Sequence, residues 1–178
     1  MFLLFLVFEG SPDTLEVVKE ENARAGFIAG ETANGCFLYS WLVPVGLELE
    51  DKTAAVAFLW TPALVSGGSF FVKHVSPGQA LACFYNGWTG LYHGYLIEQE
   101  RETGAGLHLA LTLAIAEPVA GYFISGKRNL TPGMVQEATL TGLSLTGDII
   151  ALYGLLEEEA EMGVIGIACL TGQFASYY

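Results

Sequence analysis

The chain has 178 residues, which fits one domain or one short array of repeated units. Apolar residues make up 52 % of it and charged residues only 15 %, whereas about 25 % charged residues is usual in soluble domains. The net charge of −12 argues against nucleic acid as a partner, because affinity for it comes largely from Lys and Arg at phosphates. The composition therefore favours a membrane protein, or a soluble protein with unusually buried helices.

The apolar stretches are too long for strands and show no sustained alternation, which predicts an all-α fold. In chain order, the predicted helices cover residues 12–30, 32–48, 53–73, 77–97, 105–127, 132–156 and 162–177. The run from Met1 to Phe8 is too short to span a bilayer and lacks the basic region and cleavage site of a secretory signal. Two interpretations of this run stay open: a truncated or processed start, or the end of a helix.

A degenerate internal repeat is the clearest pattern in the sequence. Residues 73–78 (Lys-His-Val-Ser-Pro-Gly) are echoed by residues 128–133 (Arg-Asn-Leu-Thr-Pro-Gly). Ser76 and Thr131 are good N-caps, each is followed by Pro at the first helical position, and Gln79 completes a capping box with Ser76. We expect a single domain over 1–178, with repeats of approximately 53–104 and 105–161 and a possible diverged repeat over 1–52. Repetition of this kind predicts stacked helical units.

Charged residues alternate in sign from one connection to the next. If consecutive helices are antiparallel, the acidic loops share one end of the molecule and the basic turns share the other. In a bilayer this is the positive-inside pattern, with the basic turns cytoplasmic. In a soluble array it gives two ends that attract each other and favour head-to-tail assembly. The acidic loops lie near residues 48–51, 98–102 and 157–161, and the basic turns contain Lys73, His74, Lys127 and Arg128.

Glycines at helical spacing predict close helix packing. The chain has 22 glycines, and small residues four apart let two helix backbones approach each other, within one subunit or between subunits. The predicted packing interface comprises two pairs with this spacing, Gly26 with Gly30 and Gly90 with Gly94, together with the further glycines Gly142 and Gly147.

Polar residues form a stripe on two of the predicted helices. Glu137 and Asp148 are 11 positions apart and so share one face of the helix over 132–156. Asn86 and His93 form the equivalent stripe over 77–97. We expect the two stripes to face each other, with His93 near Asp148.

Three roles stay open for a buried pair of His93 and Asp148: a structural hydrogen bond, the binding of a ligand or ion, and proton transfer. A further polar residue, Glu117, precedes Pro118 in an apolar stretch. Pro62 and Pro118 predict helix kinks, at which neighbouring groups satisfy the freed backbone.

Sequence signatures of enzymes are absent: the chain has no P-loop, GxGxxG, GxSxG, HExxH or EF-hand motif. Its three cysteines have no zinc spacing. His93 and His108 flank one acidic loop, but no second pattern supports a cofactor between them. We therefore expect no enzymatic activity, no catalytic residue, no metal and no cofactor.

The sequence predicts a non-catalytic structural or assembly subunit, embedded in a membrane and working in a homo-oligomer or a larger complex. Two alternatives remain open. One is a soluble, extracellular or periplasmic subunit that self-assembles into filaments. The other is a small channel or transporter with an internal polar path through His93, Glu117, Glu137 and Asp148. The expected partners are further copies of the chain, other subunits or a lipid bilayer.

Overall fold

The computed structural model describes residues 12–99, 107–156 and 161–178, and the side chains from residue 19 onward within these ranges. These residues form helices and no strands, which confirms the predicted all-α class. The elements are α1 (Pro12–Asn34), a π-helical turn (Gly35–Tyr39), α2 (Ser40–Gly46), α3 (Asp51–Ser69), α4 (Pro77–Gln99), α5 (His108–Arg128), α6 (Pro132–Leu156) and α7 (Met162–Ala175). Because α1, the π-helical turn and α2 run on without a break, the described chain forms six helical rods.

Two helix starts follow from local chemistry, as predicted. The backbone N–H of Ser76 donates to Gln79 Oε1 at 2.9 Å, and the N–H of Gln79 donates to Ser76 Oγ at 3.2 Å, which is the expected capping box. At the next turn, the N–H of Met134 donates to Thr131 Oγ1 at 3.3 Å. Side-chain caps thus begin α4 and α6.

The predicted break between a helix over 12–30 and another over 32–48 is wrong. The chain stays helical there and widens into the π-helical turn, in which the N–H of Ser40 donates to the carbonyl of Gly35, five residues earlier. A Cβ on Gly35 would lie 3.1 Å from the Cα of Pro62 on α3. The close approach of these two backbones is a tertiary contact, and no local sequence signal for it was recognised.

Helices α4 and α5 form an antiparallel pair at the centre of the fold. Gly94 packs against the backbone of Ala110 at one end of the pair, and Gly78 packs against the carbonyl of Leu130 at the other. Helix α4 also contacts α1, α6 and α7. It is therefore the element around which the described chain is arranged.

The basic turns and the one fully described acidic connection lie at opposite ends, while the predicted acidic loops near residues 98–102 and 157–161 lie largely outside the described residues. Tyr122 donates to the carbonyl of His74 at 3.0 Å, and the guanidinium of Arg128 lies 4.6 Å from the ring centre of Tyr178, so the two basic turns share one end. At the other end, Glu48 lies 3.4 Å from His108. Glu20 is an exception, because it pairs with His74 at the basic end.

Candidate functional site

A carboxylate on α5 is the centre of a buried polar network. His93 Nδ1 on α4 lies 2.9 Å from Glu117 Oε1, and the hydroxyl of Thr89 donates to Glu117 Oε2 at 3.2 Å. The side chain of His93 is fully buried and that of Glu117 is 3 % exposed. Because desolvation of a carboxylate is costly unless it is hydrogen-bonded, these two contacts are what allow Glu117 to lie inside the fold.

The C-terminal helix extends the network. Gln173 Nε2 on α7 donates to Asn86 Oδ1 at 2.7 Å and to Thr89 Oγ1 at 3.1 Å. The hydroxyl of Tyr177 donates to Asn86 Oδ1 at 3.0 Å. Burial is the main cause that raises the pKa of Tyr177, so its phenol stays protonated and keeps donating. Three helices therefore contribute side chains to one connected polar interior.

The local sequence explains how α5 accommodates this network. Pro118 has no N–H, so the carbonyl of Ala114 four residues earlier has no helical donor. Tyr39, in the π-helical turn, donates to that carbonyl at 2.7 Å. Gly121 leaves room for the amide of Asn86, which donates to the carbonyl of Glu117 at 3.2 Å. The predicted satisfaction of the backbone around Pro118 is thus provided by α4 and the π-helical turn.

Two polar atoms of the network have no hydrogen-bond partner among the described residues. They are His93 Nε2 and Gln173 Oε1, and both are buried. An unpartnered buried polar atom costs roughly 1–3 kcal/mol, so each is a point at which a water molecule or a polar ligand would be stabilised. The arrangement can hold a proton between His93 and Glu117, and it can bind a small hydrogen-bonding group.

The structure brings together three of the five predicted polar residues, namely Asn86, His93 and Glu117. The expected pairing of His93 with Asp148 is wrong, because His93 bonds Glu117 while Glu137 and Asp148 are exposed on α6. Those two residues do share a face, but it is the outer one. The face of α6 that packs inward carries smaller residues: Val135, Ala138, Thr139, Gly142 and Thr146.

The predicted glycine set divides into two groups. A Cβ on Gly90 or Gly94 would collide with the backbone of α5, and one on Gly142 would lie 2.8 Å from the Cβ of Gln173. Gly30 faces the ring of Phe84, and a Cβ there would be in ordinary contact at 3.5 Å. By contrast, a Cβ on Gly26 or Gly147 would meet nothing within 4 Å. Of the six predicted glycines, only Gly26 and Gly147 therefore leave open space for another molecule.

Sequence reasoning missed two members of the network, Gln173 and Tyr177. Gln173 is the only amide in α7, a helix otherwise made of apolar residues, glycines and one threonine. An isolated amide in such a helix is a usable signal, because a buried polar side chain needs partners. Among the described residues, no group of three or more His, Cys, Asp or Glu side chains could hold a metal ion.

A groove of about 380 Å³ lies beside the network, between α4 and α6. Thr89 belongs to both the groove and the network, so the groove borders the polar interior. Its lining consists of aromatic, aliphatic and uncharged polar side chains: Tyr85, Trp88, Thr89, Tyr92, Gln136, Thr139, Leu140 and Leu143.

Two helices of the described chain, α5 and α6, are long and apolar enough to cross a membrane by length and composition. Core helices of soluble proteins pass the same test; of the apolar window, 39 % is buried in α5 and 11 % in α6. Comparison of the chain with family models, with curated proteins and with solved structures gives no match.

Proposed function

We propose that this chain is a non-catalytic, membrane-embedded helical subunit that works by self-association or within a larger complex. The observation that supports this most strongly is the number of large apolar side chains on the surface. The interior combines hydrophobic clusters with the hydrogen-bonded polar network. A soluble protein rarely exposes large contiguous apolar patches, whereas a lipid-facing surface is apolar. The exposed carboxylates Glu137 and Asp148 on α6 are then proposed to face a second subunit, because a charged group that faces lipid is costly.

The apolar surface is concentrated on α3 and α6, and α5 and α7 expose three large apolar side chains each. On α3, Leu59 is 72 % exposed and Leu64 is 70 % exposed, and on α6 Leu155 is 82 % exposed. The same helices also expose Val56, Phe58, Trp60, Ile115, Val119, Phe123, Leu140, Leu143, Ile150, Leu152 and Leu156. In water these side chains would favour association or aggregation, so we propose that lipid or protein covers this surface.

Helix length and charge fit the same proposal. The 21 residues of α5 and the 25 of α6 span about 32 and 38 Å at 1.5 Å per residue, against a hydrocarbon core of about 30 Å. The positive-inside rule then makes the basic turns at Lys73 and Arg128 cytoplasmic. The internal repeat is part of this proposal, as two helix–basic turn–helix units, α3–α4 and α5–α6, whose helices pack mainly on other elements rather than on each other.

Self-association is proposed to use the open glycines. Gly26 and Gly147 face no atom of the described chain, and small residues of this kind allow a second helix to pack closely in a membrane. Gly147→Leu is expected to lower the fraction of oligomer, measured by cross-linking in detergent, while the folded monomer persists. Ala116→Leu is the matched control, because it enlarges an exposed small residue on α5 that lies outside the proposed interface; an equal loss of oligomer in both variants would contradict the use of Gly147.

Carbonate extraction of the native cell fraction tests the membrane proposal. Retention of the chain in the pellet until detergent is added is the expected result. Complete release by carbonate without detergent would overturn it. Protease protection of a site inserted after Lys127, on sealed vesicles, then tests whether the basic turns are cytoplasmic.

A second candidate function, a soluble filament subunit, is favoured by the charge separation along the helix axes. Lys127 and Arg128 lie at one end of the molecule and Glu48 and Glu161 at the other, so copies stacked end to end would attract. The corresponding result is release by carbonate as large particles that dissociate at high salt, because salt screens exposed charges.

A further inference from the structure

We propose that the groove between α4 and α6 binds an uncharged apolar molecule that carries a hydroxyl group, such as a long-chain alcohol. This binding site is independent of the membrane proposal, because it rests on the lining of the groove alone. The volume of about 380 Å³ falls within the range of small-molecule pockets, which begins at about 300 Å³.

The walls of the groove select an apolar molecule without charge. Tyr85, Trp88 and Tyr92 follow one side of α4, and Leu140 and Leu143 lie across from them on α6. No charged side chain is among the lining residues that the structure describes. An ionised ligand would therefore lose its hydration without gaining a counter-charge, which is costly, whereas an alkyl chain would gain contact with the aromatic and aliphatic walls.

The floor of the groove selects a hydrogen-bond donor. Its two most buried lining residues are Thr89 and Thr139. The hydroxyl of Thr89 already donates to Glu117 Oε2 at 3.2 Å, and that of Thr139 donates to the carbonyl of Val135 at 2.9 Å. A hydroxyl has one hydrogen to donate and two lone pairs that accept. Both hydroxyl groups can therefore only accept a hydrogen bond from a molecule in the groove.

A third acceptor lies next to this floor. Gln173 Oε1 is buried and has no partner among the described residues, and a Cβ on Gly142 would lie 3.2 Å from it. Gly142 shares the inward face of α6 with Thr139, one turn away. Gln173 is not itself a lining residue, and Thr89 already accepts from Gln173 Nε2 at 3.1 Å. The acceptors that a ligand meets are therefore the remaining lone pair of Thr89 and the hydroxyl oxygen of Thr139. The matching group is one with an O–H to donate, whereas a bare hydrocarbon leaves these acceptors unsatisfied.

Fluorescence of Trp88 provides the assay. The chain has three tryptophans, so the double variant Trp41→Phe, Trp60→Phe leaves only the one that lines the groove. The protein is held in amphipol and titrated with 1-dodecanol, with dodecane and dodecanoate as matched probes, and affinities are referred to free ligand. We expect saturable binding of dodecanol, about 3- to 10-fold tighter than dodecane, as one net hydrogen bond implies, and weaker binding of dodecanoate.

Three variants locate the site. The double variant Leu140→Phe, Leu143→Phe narrows the groove without adding a tryptophan and is expected to abolish the dodecanol signal. Thr139→Val is expected to reduce the preference for dodecanol over dodecane, Thr139→Ser to retain it, and Thr171→Val, at an exposed position on α7, to leave it unchanged. Equal affinity for dodecanol and dodecane in the parent protein would overturn the proposal, and so would a titration that the double phenylalanine variant does not alter. The comparison of dodecanol with dodecane is made on the protein with an unchanged groove, so it does not depend on whether a groove variant folds.

Discussion

Gly94→Ala is the substitution that tests the central helix pair most directly. A Cβ at this position would lie 2.6 Å from the backbone N of Ala110 and 2.7 Å from the carbonyl oxygen of Leu109. Both obstructing atoms belong to the main chain of α5, so no side-chain rotation relieves the contact. The two helices must instead move apart along the interface that also contains Gly90.

The size of the effect follows from two opposing contributions. Alanine is about 1 kcal/mol more favourable than glycine in a helix interior. Overpacking costs typically 1–3 kcal/mol, and rigid backbone neighbours place this site near the upper value. The net loss is therefore about 2 kcal/mol, which corresponds to a decrease in Tm of about 4–8 °C for a chain of this length.

Thermal unfolding followed by circular dichroism at constant detergent concentration measures this change. Gly154→Ala is the matched control, since it makes the same replacement on α6 where a Cβ meets no atom within 4 Å; it is expected to raise the Tm slightly. A Gly94→Ala protein that melts at or above the temperature of the parent would refute the close packing of α4 on α5.

The remaining predictions concern the polar interior and the thiols. Glu117→Ala should lower the unfolding free energy by about 3 kcal/mol, because it leaves His93 and Thr89 without their acceptor. Glu137→Ala, at an exposed site, should change the unfolding free energy by less than about 0.5 kcal/mol. Equal effects of the two substitutions in denaturant titrations would contradict the network. Tyr177→Phe should cost about 1 kcal/mol through loss of its bond to Asn86, and the same melts should show no change for the exposed Tyr178→Phe. In detergent, a maleimide should modify the exposed Cys36 rapidly and the buried Cys83 and Cys169 only after unfolding; fast modification of all three, counted by mass spectrometry, would be inconsistent with this fold.

The fold was predictable wherever local chemistry determines it. The starts of α4 and α6 follow from Ser76 and Thr131, which cap their own helices, so neighbouring residues were sufficient evidence. The end of α1 was not predictable in the same way. Gly35 continues the helix because α3 packs against it, and that contact joins residues far apart in the sequence.

The candidate site was predictable in composition but not in pairing. Spacing placed Asn86 and His93 on one face of α4, and Glu117 was identified as the unusual carboxylate beside Pro118. The partner of His93 depended on how each helix is rotated about its axis. Helix α7 packs on α6 through Gly142 and Thr146, and this contact turns Asp148 outward. The periodicity of a sequence shows which residues share a helix face, but it does not show whether that face points to the core or to the surface.

The π-helical turn has a consequence for how the chain tolerates changes in length. Wider than an α-helical turn, it accommodates one more residue without ending the helix. Deleting one residue between Gly35 and Tyr39 would therefore let this segment close to regular α-helix, and α2 would keep its rotation relative to α1. Leu42, which is fully buried, would stay in the core. Deleting one residue from the regular part of α1 would instead rotate the segments on either side by about 100° relative to each other. The turn is thus the place in this long helix at which a one-residue change in length is tolerated.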